Sequence, residues 1–190
     1  MSRDELRSSG ISVSRAFRLD RKYSDLMINE AQSQRTSLSS LLGRIIKDYL
    51  TLHSYTEKYP IVVLSQHEMD AFIGLLTMEQ AESLGSKMGS MTPISLLLMR
   101  GMSAPDLDSL IWLLEEVYGR RMGWFTIHNN VVGDERILYL SHKLSSNWTA
   151  FLSSYMSSMF DSILGMKVTQ ERQENYMTVR IPLSKEKGVT

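Results

Sequence analysis

Side chains able to ligate a metal are few and widely spaced in this chain of 190 residues. It has four histidines and no cysteine, which removes thiolate zinc sites, iron–sulfur clusters and disulfides. His128 and His142 fall on neighbouring predicted strands and could approach each other, but a metal site would need a third donor. We therefore expect no metal and no other cofactor, and interpret both histidines as polar residues of a sheet.

Catalytic motifs are also missing from the sequence. The glycines do not have the spacing of a GxGxxG or P-loop motif, and no serine lies in a nucleophile elbow. Glu115 and Glu116 are adjacent on a predicted helix, so their carboxylates cannot converge on one bond. The sequence therefore predicts a protein that is not an enzyme.

An apolar ligand pocket is the remaining chemical option. Three residues of the second half are its candidate lining: Trp124, His142 and Trp148. The alternative is ordinary core packing of the aromatic residues. We expect the methionines of one helical region to be apolar core or pocket lining as well, namely Met78, Met88, Met91, Met99 and Met102. The sequence leaves a small-molecule effector open.

Charge is divided unevenly along the chain, although 21 basic and 21 acidic residues cancel in total. Residues 1–50 hold nine basic and six acidic residues, a balance of +3, and residues 51–190 hold twelve and fifteen, a balance of −3. Such asymmetry is typical of a basic module joined to a second module. A neutral total alone argues against a nucleic-acid partner, but the first fifty residues keep that partner open.

No membrane-directing signal is recognisable. The chain lacks a run of about 18 uncharged apolar residues, and its first ten residues lack the apolar core of a signal peptide. We expect a cytoplasmic protein without membrane contact. Pro60 would end a helix arriving from Leu50. The predicted domains are therefore residues 1–52 and 60–184, followed by a mobile tail, 185–190.

The first domain is predicted to contain one strand and two helices. Residues 12–20 alternate between the apolar Phe17 and Leu19 and outward polar or small residues, as in a half-buried strand. Asp20 can cap a helix of about 14 residues. A second helix, capped by Ser37 or Thr36, carries an apolar stripe as far as Leu50. Because 50 residues cannot bury these faces alone, we expect a dimer.

The segment from about Ser12 to Leu50 resembles the ribbon-helix-helix family of prokaryotic repressors, which includes the Arc and methionine repressors. The matching features are the Arg–Leu–Asp sequence at 18–20, apolar or small residues at 23, 27 and 31, and hydroxyls at 36, 37 and 39. The resemblance implies that antiparallel strands from two chains form a ribbon that enters the DNA major groove. Arg35 stands where many members carry glycine, so we expect a differently shaped turn between the helices.

The same resemblance implies particular DNA contacts. Three outward side chains of the strand would contact bases: Ser14, Ala16 and Arg18. Three residues that open the second helix would hold a backbone phosphate, since helix N-termini favour anions: Ser37, Leu38 and Ser39. An arm before the strand, with Arg3 and Arg7, could lie along the phosphates.

The second domain is predicted to be α+β. Helical patterns include one over residues 105–118, with Ser103 as its cap and Gly119 as its stop. Two alternating runs, 124–132 and 136–144, predict a β-hairpin. A helix closed by Gly165 and two more strand-like segments complete a small antiparallel sheet with helices on one side. The whole chain is therefore expected to be α+β, a ribbon-helix-helix dimerisation unit followed by this domain.

Residues 140–165 are also similar to the small-molecule-binding domains related to 4-vinyl reductases. In those domains a histidine and a tryptophan have similar spacing around an apolar helix. The segment lacks the cysteines and acidic ligands by which some of those domains hold metal.

Two functions follow from these patterns. The first is a prokaryotic transcriptional regulator that binds double-stranded operator DNA as a homodimer or a larger even-numbered oligomer, with a second domain that senses an effector or oligomerises. The second is a ligand-binding or protein-interaction module whose N-terminal segment only assembles the oligomer. An antitoxin is a third option, although antitoxin tails tend to be short and this one has its own apolar residues.

Overall fold

The chain is α+β, as predicted. A computed structural model describes residues 15–50, 63–91 and 104–183 and divides the chain into a first unit, residues 1–62, and a second unit, residues 63–190. The first unit contains helices α1, Arg21–Ser33, and α2, Leu38–Asp48. The second unit contains, in order, α3 Gln66–Gly74, α4 Met78–Ser90, α5 Leu107–Trp112, a π-helix Leu113–Arg121, β1 Thr126–Val132, β2 Glu135–Ser141, α6 Ser146–Leu164, β3 Thr169–Arg172 and β4 Tyr176–Pro182.

Both predicted helices of the first unit are confirmed, with their caps. The Asp20 carboxylate accepts from the Lys22 N–H, and the Ser37 hydroxyl, not that of Thr36, accepts from the Ser40 N–H. Such caps satisfy amides that have no intrahelical partner. Local sequence signals thus set where each helix begins.

The turn between α1 and α2 takes the shape that glycine usually provides, although residue 35 is arginine. Arg35 has a φ of 51°, in the left-handed region. Its N–H donates to the Gln32 carbonyl, and the Thr36 N–H donates to the Ala31 carbonyl. These two bonds make a Schellman motif. The expectation of a differently shaped turn was therefore wrong, because the closing bonds hold arginine in the glycine conformation.

Replacing Arg35 with glycine is expected to stabilise the first unit by about 1 kcal/mol, because a left-handed residue with a Cβ is strained. Arg35→Ala is the matched control, since alanine also loses the guanidinium but keeps the Cβ. Slower amide hydrogen exchange in α1 and α2 would report the gain. Equal protection in the two variants would contradict the strain argument.

The predicted strand of the first unit is absent from its described part. Residues 15–20 form neither strand nor helix, and Phe17 and Leu19 are exposed. A β-strand needs a neighbouring strand to complete its hydrogen bonds, and every described strand of this chain lies in the second unit. Residues 12–14 lie outside the described residues.

Helices α4 and α6 pack at unusually close range in the second unit. Small residues at every fourth position of α4 form the contact: Ala81, Gly85 and Gly89, all buried. Gly85 lies against the backbone of Phe151, and Gly89 lies against that of Tyr155. Because both contacts advance by four residues, the two helices run in the same direction. This face leaves Met78, Met88 and Met91 exposed, so the core alternative of the methionine prediction was wrong for these three; Met99 and Met102 lie outside the described residues.

The sheet has the strand order β1-β2-β4-β3, with every neighbouring pair antiparallel. The predicted hairpin and the two later strands are confirmed. Cross-strand pairs such as Leu138 with Val179 and Leu140 with Met177 put fully buried side chains on one face. The closing glycine of α6 is confirmed as well, since Gly165 has a φ of 62°. The two central strands therefore carry most of the sheet's core.

The helical segment before the hairpin differs from its prediction at both ends. Asp106 is the cap, through its bond to the Ser109 N–H, and Ser103 lies outside the described residues. The helix continues past Gly119 as a π-helix to Arg121. The prediction of a stop at Gly119 was wrong, because the chain turns at Gly123, which has a φ of 66°.

Candidate functional site

The candidate base-contacting residues are only partly described. Ala16 and Arg18 are exposed in the segment that precedes α1. Ser14 and the arm residues Arg3 and Arg7 lie outside the described residues. The segment is thus accessible where it is described, and of the two candidate residues described in it Arg18 is the one whose side chain can donate hydrogen bonds to a base.

The candidate phosphate site lies at the start of α2. The Ser37 hydroxyl accepts from the Ser40 N–H at 3.1 Å and lies 2.8 Å from the Ser40 hydroxyl. The amides of Leu38 and Ser39 belong to the first turn, where a helix supplies no carbonyl partner. Ser39 is exposed and Leu38 is half-buried. This end of α2 therefore offers amide donors and the positive end of a helix dipole to an anion.

The described part of the first unit is basic. Residues 15–50 contain seven basic and four acidic side chains, a balance of +3. Arg44 donates to the side-chain oxygen of Gln34, whose amide donates to Glu30. Arg44 is thereby held by the end of α1.

The described part of the first unit leaves most of its apolar side chains exposed. In its described part only Ala31 and Leu41 are buried hydrophobic residues. Nine large apolar side chains are each more than a third exposed: Phe17, Leu19, Tyr23, Leu26, Ile28, Ile45, Ile46, Tyr49 and Leu50. Isolated exposed apolar residues are ordinary, but a set of this size on two short helices and the residues that flank them is typical of an interaction surface.

The candidate pocket residues of the second unit pack closely against aromatic neighbours. The Trp124 and Trp148 rings meet edge to face with centroids 5.4 Å apart, and Trp148 stacks on Phe151 at 4.8 Å. The Trp148 Nε1–H donates to the Trp124 carbonyl at 3.1 Å. Tyr118 stacks on Trp124, and its hydroxyl accepts from Tyr155 at 2.6 Å. Aromatic rings in such contact fill the space between the π-helix and α6.

His142 is buried just after β2, and both of its ring nitrogens are bonded. Its Nδ1 accepts from the Leu144 N–H at 3.2 Å, so the proton resides on Nε2, which donates to the Thr149 hydroxyl at 2.8 Å. That hydroxyl donates to the Glu174 carbonyl at 2.7 Å. Burial lowers the pKa of His142 below its ordinary value. The neutral ring thus joins the end of β2, α6 and the β3–β4 turn.

Sequence reasoning missed a reciprocal link between α3 with the residues just after it and the start of α6. The Asp70 carboxylate accepts from the Ser145 N–H at 2.8 Å, and this bond lowers the pKa of Asp70. The Asn147 side chain donates to the Leu76 carbonyl at 2.8 Å. No short-range signal marks these pairs, because their partners are more than 70 residues apart in sequence.

Metal binding has no support in the described part of the chain. His128 lies on β1 opposite Tyr139, whereas His142 follows β2. Among the described residues, no three His, Asp or Glu side chains gather closely enough to hold an ion.

No described helix has the length and apolar character that crossing a bilayer requires.

Comparisons with known proteins add no functional assignment. Neither a protein-family model nor a curated protein matches this chain. Proposals about its function therefore depend on its residues and their geometry.

Proposed function

We propose that the protein is a transcriptional regulator that binds operator DNA as a homodimer through its first unit, while the second unit oligomerises or senses an effector. The observation that carries this proposal is the exposed apolar surface of α1 and α2. Only Ala31 and Leu41 are buried there, whereas Ile45 and Ile46 lie exposed. A second copy packed on α2 would remove these side chains from water, which favours association by about 25 cal/mol per Å².

The segment before α1 supports the DNA part of the proposal. Residues 15–20 lack a strand partner within the described chain, and a second copy of the segment could supply one in an antiparallel ribbon. Alternation would then place Ala16 and Arg18 on the face opposite Phe17 and Leu19. A two-stranded ribbon fits the major groove, where arginine binds guanine through two hydrogen bonds.

The start of α2 supports the positioning of such a ribbon. Phosphate contacts fix the register of a protein on DNA, and base contacts provide specificity. The Leu38 and Ser39 N–H groups, which have no carbonyl partner within the helix, could donate to a phosphate next to the ribbon. The +3 balance of residues 15–50 favours the same partner.

Arg18→Ala is expected to weaken binding to a selected DNA site by at least about tenfold, because each of the dimer's two Arg18 base contacts is worth about 1–3 kcal/mol. The DNA site is found by selecting, from random duplexes, those that the full-length protein binds. The affinity for that site is then measured by gel shift. Binding to an unrelated duplex should fall only slightly.

Arg21→Ala is the matched control, since Arg21 is exposed at the start of α1 and has one ion pair with Asp25 at 3.9 Å. This variant removes one positive charge, as Arg18→Ala does, but three residues further along the chain. If the two variants lose equal affinity for both duplexes, Arg18 does not contact a base. If the protein selects no site and shows no salt-dependent binding, the DNA proposal fails and the alternative of a ligand-binding or protein-interaction module is favoured.

A further inference from the structure

The two edges of the sheet are built differently. The β3 edge has four residues, and two of them are in ion pairs: Glu171 with Arg180, and Arg172 with Glu82. The β1 edge has seven residues, Thr126–Val132, and none is charged. Natural proteins usually protect an open edge by shortness, charge or proline. The β3 edge has the first two of these features and the β1 edge has none.

Backbone groups of β1 point outward at alternate residues. A two-residue turn, Gly133 and Asp134, joins β1 to β2, and Val132 is opposite Glu135. In such a hairpin the residues that flank the turn bond to each other, and bonding to the partner strand then alternates. The N–H and C=O groups of Ile127, Asn129 and Val131 therefore face away from β2. They make no backbone bond to another described segment.

We propose that β1 pairs with β1 of a second copy, antiparallel, across a two-fold axis through Asn129. The two four-stranded sheets would then form one sheet of eight strands. Outward groups meet in this register at three positions: Asn129 with Asn129, Ile127 with Val131, and Val131 with Ile127. Each such pair exchanges two hydrogen bonds, which makes six bonds in all.

Side chains of β1 are self-complementary in this register. Ile127 meets Val131 on one face of the sheet, and Thr126 meets Val132 on the other, so two kinds of β-branched pair form. His128 meets Asn130. Val131 and Val132 are now more than half exposed and would be covered. A shift by two residues keeps outward groups opposite each other but leaves the ends of both strands unpaired.

The Asn129 side chain beside the proposed axis is hydrogen-bonded within its own chain. The Asn129 side chain donates to the Glu115 carboxylate at 2.9 Å, on the face that carries the π-helix. Each Glu115 thus has a hydrogen-bond partner in its own chain. The interface lies wholly in the second unit, so it does not depend on DNA binding by the first. A chain with two different two-fold interfaces assembles into tetramers or larger even-numbered oligomers.

A single introduced cysteine tests the axis directly, since the chain has none. In Asn129→Cys the two thiols would face each other, and directly opposed Cα atoms about 5.5 Å apart permit a disulfide. Copper–phenanthroline in air is the oxidant, and non-reducing electrophoresis is the readout. We expect most of the full-length protein to become a covalent dimer within minutes. Thr169→Cys, exposed on the β3 edge, is the matched control. Equal cross-linking rates in the two variants, or none in Asn129→Cys, would overturn the proposal.

The mass of the full-length protein gives a second test. Asn129→Asp places a second carboxylate beside each Glu115 at the axis, so the dissociation constant of this interface should rise at least tenfold and the mass by light scattering should halve. Thr169→Asp should leave the mass unchanged. If Asn129→Asp does not fold, Val131→Pro replaces it, because that N–H faces outward and β1–β2 pairing survives. An unchanged mass in a folded variant overturns the proposal.

These outcomes separate this interface from the proposed function. Arg18→Ala should change DNA affinity and leave cross-linking through Asn129→Cys intact. If cross-linking fails while DNA binding is normal, only the proposed β1 interface is contradicted. If cross-linking occurs without DNA binding, only the proposed function as a DNA-binding regulator is contradicted.

Discussion

Gly85→Ala is expected to destabilise the second unit by about 3 kcal/mol or more, a large share of the stability of a typical domain. A Cβ at position 85 would lie 2.2 Å from the Phe151 carbonyl oxygen and 3.0 Å from its carbonyl carbon. These are backbone atoms of α6, so no side-chain rotation can relieve the clash. The helices α4 and α6 would have to separate, and the contacts of Ala81 and Gly89 would loosen with them.

Denaturant unfolding followed by tryptophan fluorescence measures this effect in the correct unit, because all three tryptophans lie in residues 63–190: Trp112, Trp124 and Trp148. Gly74→Ala is the control, since no atom lies within 4 Å of a Cβ built there. It should keep or slightly raise the stability of the unit. Gly89→Ala, where the Cβ would lie 2.3 Å from the Tyr155 oxygen, should resemble Gly85→Ala. A normal midpoint for both glycine variants of α4 would refute the close contact.

Features set by short-range chemistry could be predicted from the sequence. The caps Asp20 and Ser37 bond to amides two or three residues away. Gly133 and Gly165 occupy the left-handed conformations that a tight turn and a helix end require. These signals need no knowledge of what packs on the segment, and they fixed the two helices of the first unit, the hairpin and the end of α6.

Features that depend on a distant partner could not be predicted. The methionines of α4 were expected in the core, because apolar residues are ordinarily buried. Glycines in a helix are not ordinarily expected to form its contact with another helix. The structure buries Gly85 and Gly89 because a helix backbone 66 residues further along the chain approaches them. By contrast, the conformation of Arg35 has a local cause, because two short-range bonds, to the Gln32 and Ala31 carbonyls, determine the turn.

The candidate sites show the same division. His142 and Trp148 were singled out for their chemistry, but the partners that now occupy them could not be foreseen. Thr149 binds the His142 ring, and the Trp124 carbonyl binds the Trp148 indole. Arg18 differs, because its role depends on a second chain and on DNA, and the described structure only shows that it is exposed.

The stability of the second unit is expected to fall as the pH drops below about 6.5, because of His142. Burial lowers the pKa of His142 in the folded chain below the ordinary value of 6.5. The unfolded chain therefore takes up the proton first, so the contribution is fully present above pH 6.5 and is lost as the pH falls toward the folded pKa. Protonation of Nδ1 would also set its N–H against the Leu144 N–H. Asp70 acts in a different window, because a pKa below 3.8 makes its contribution disappear only in stronger acid.

Two substitutions separate the hydrogen bonds of His142 from its titration. His142→Ala removes both ring bonds and should cost about 3 kcal/mol at pH 7.5, because buried groups lose their partners. In His142→Asn the side-chain oxygen replaces Nδ1 as the acceptor for Leu144, so the cost should be only about 1–2 kcal/mol, and stability should no longer fall between pH 6.5 and 5. His67→Asn, at an exposed position on α3, should keep the wild-type pH profile in fluorescence-monitored unfolding. If His142→Asn also keeps that profile, a group other than His142 is responsible for the pH dependence.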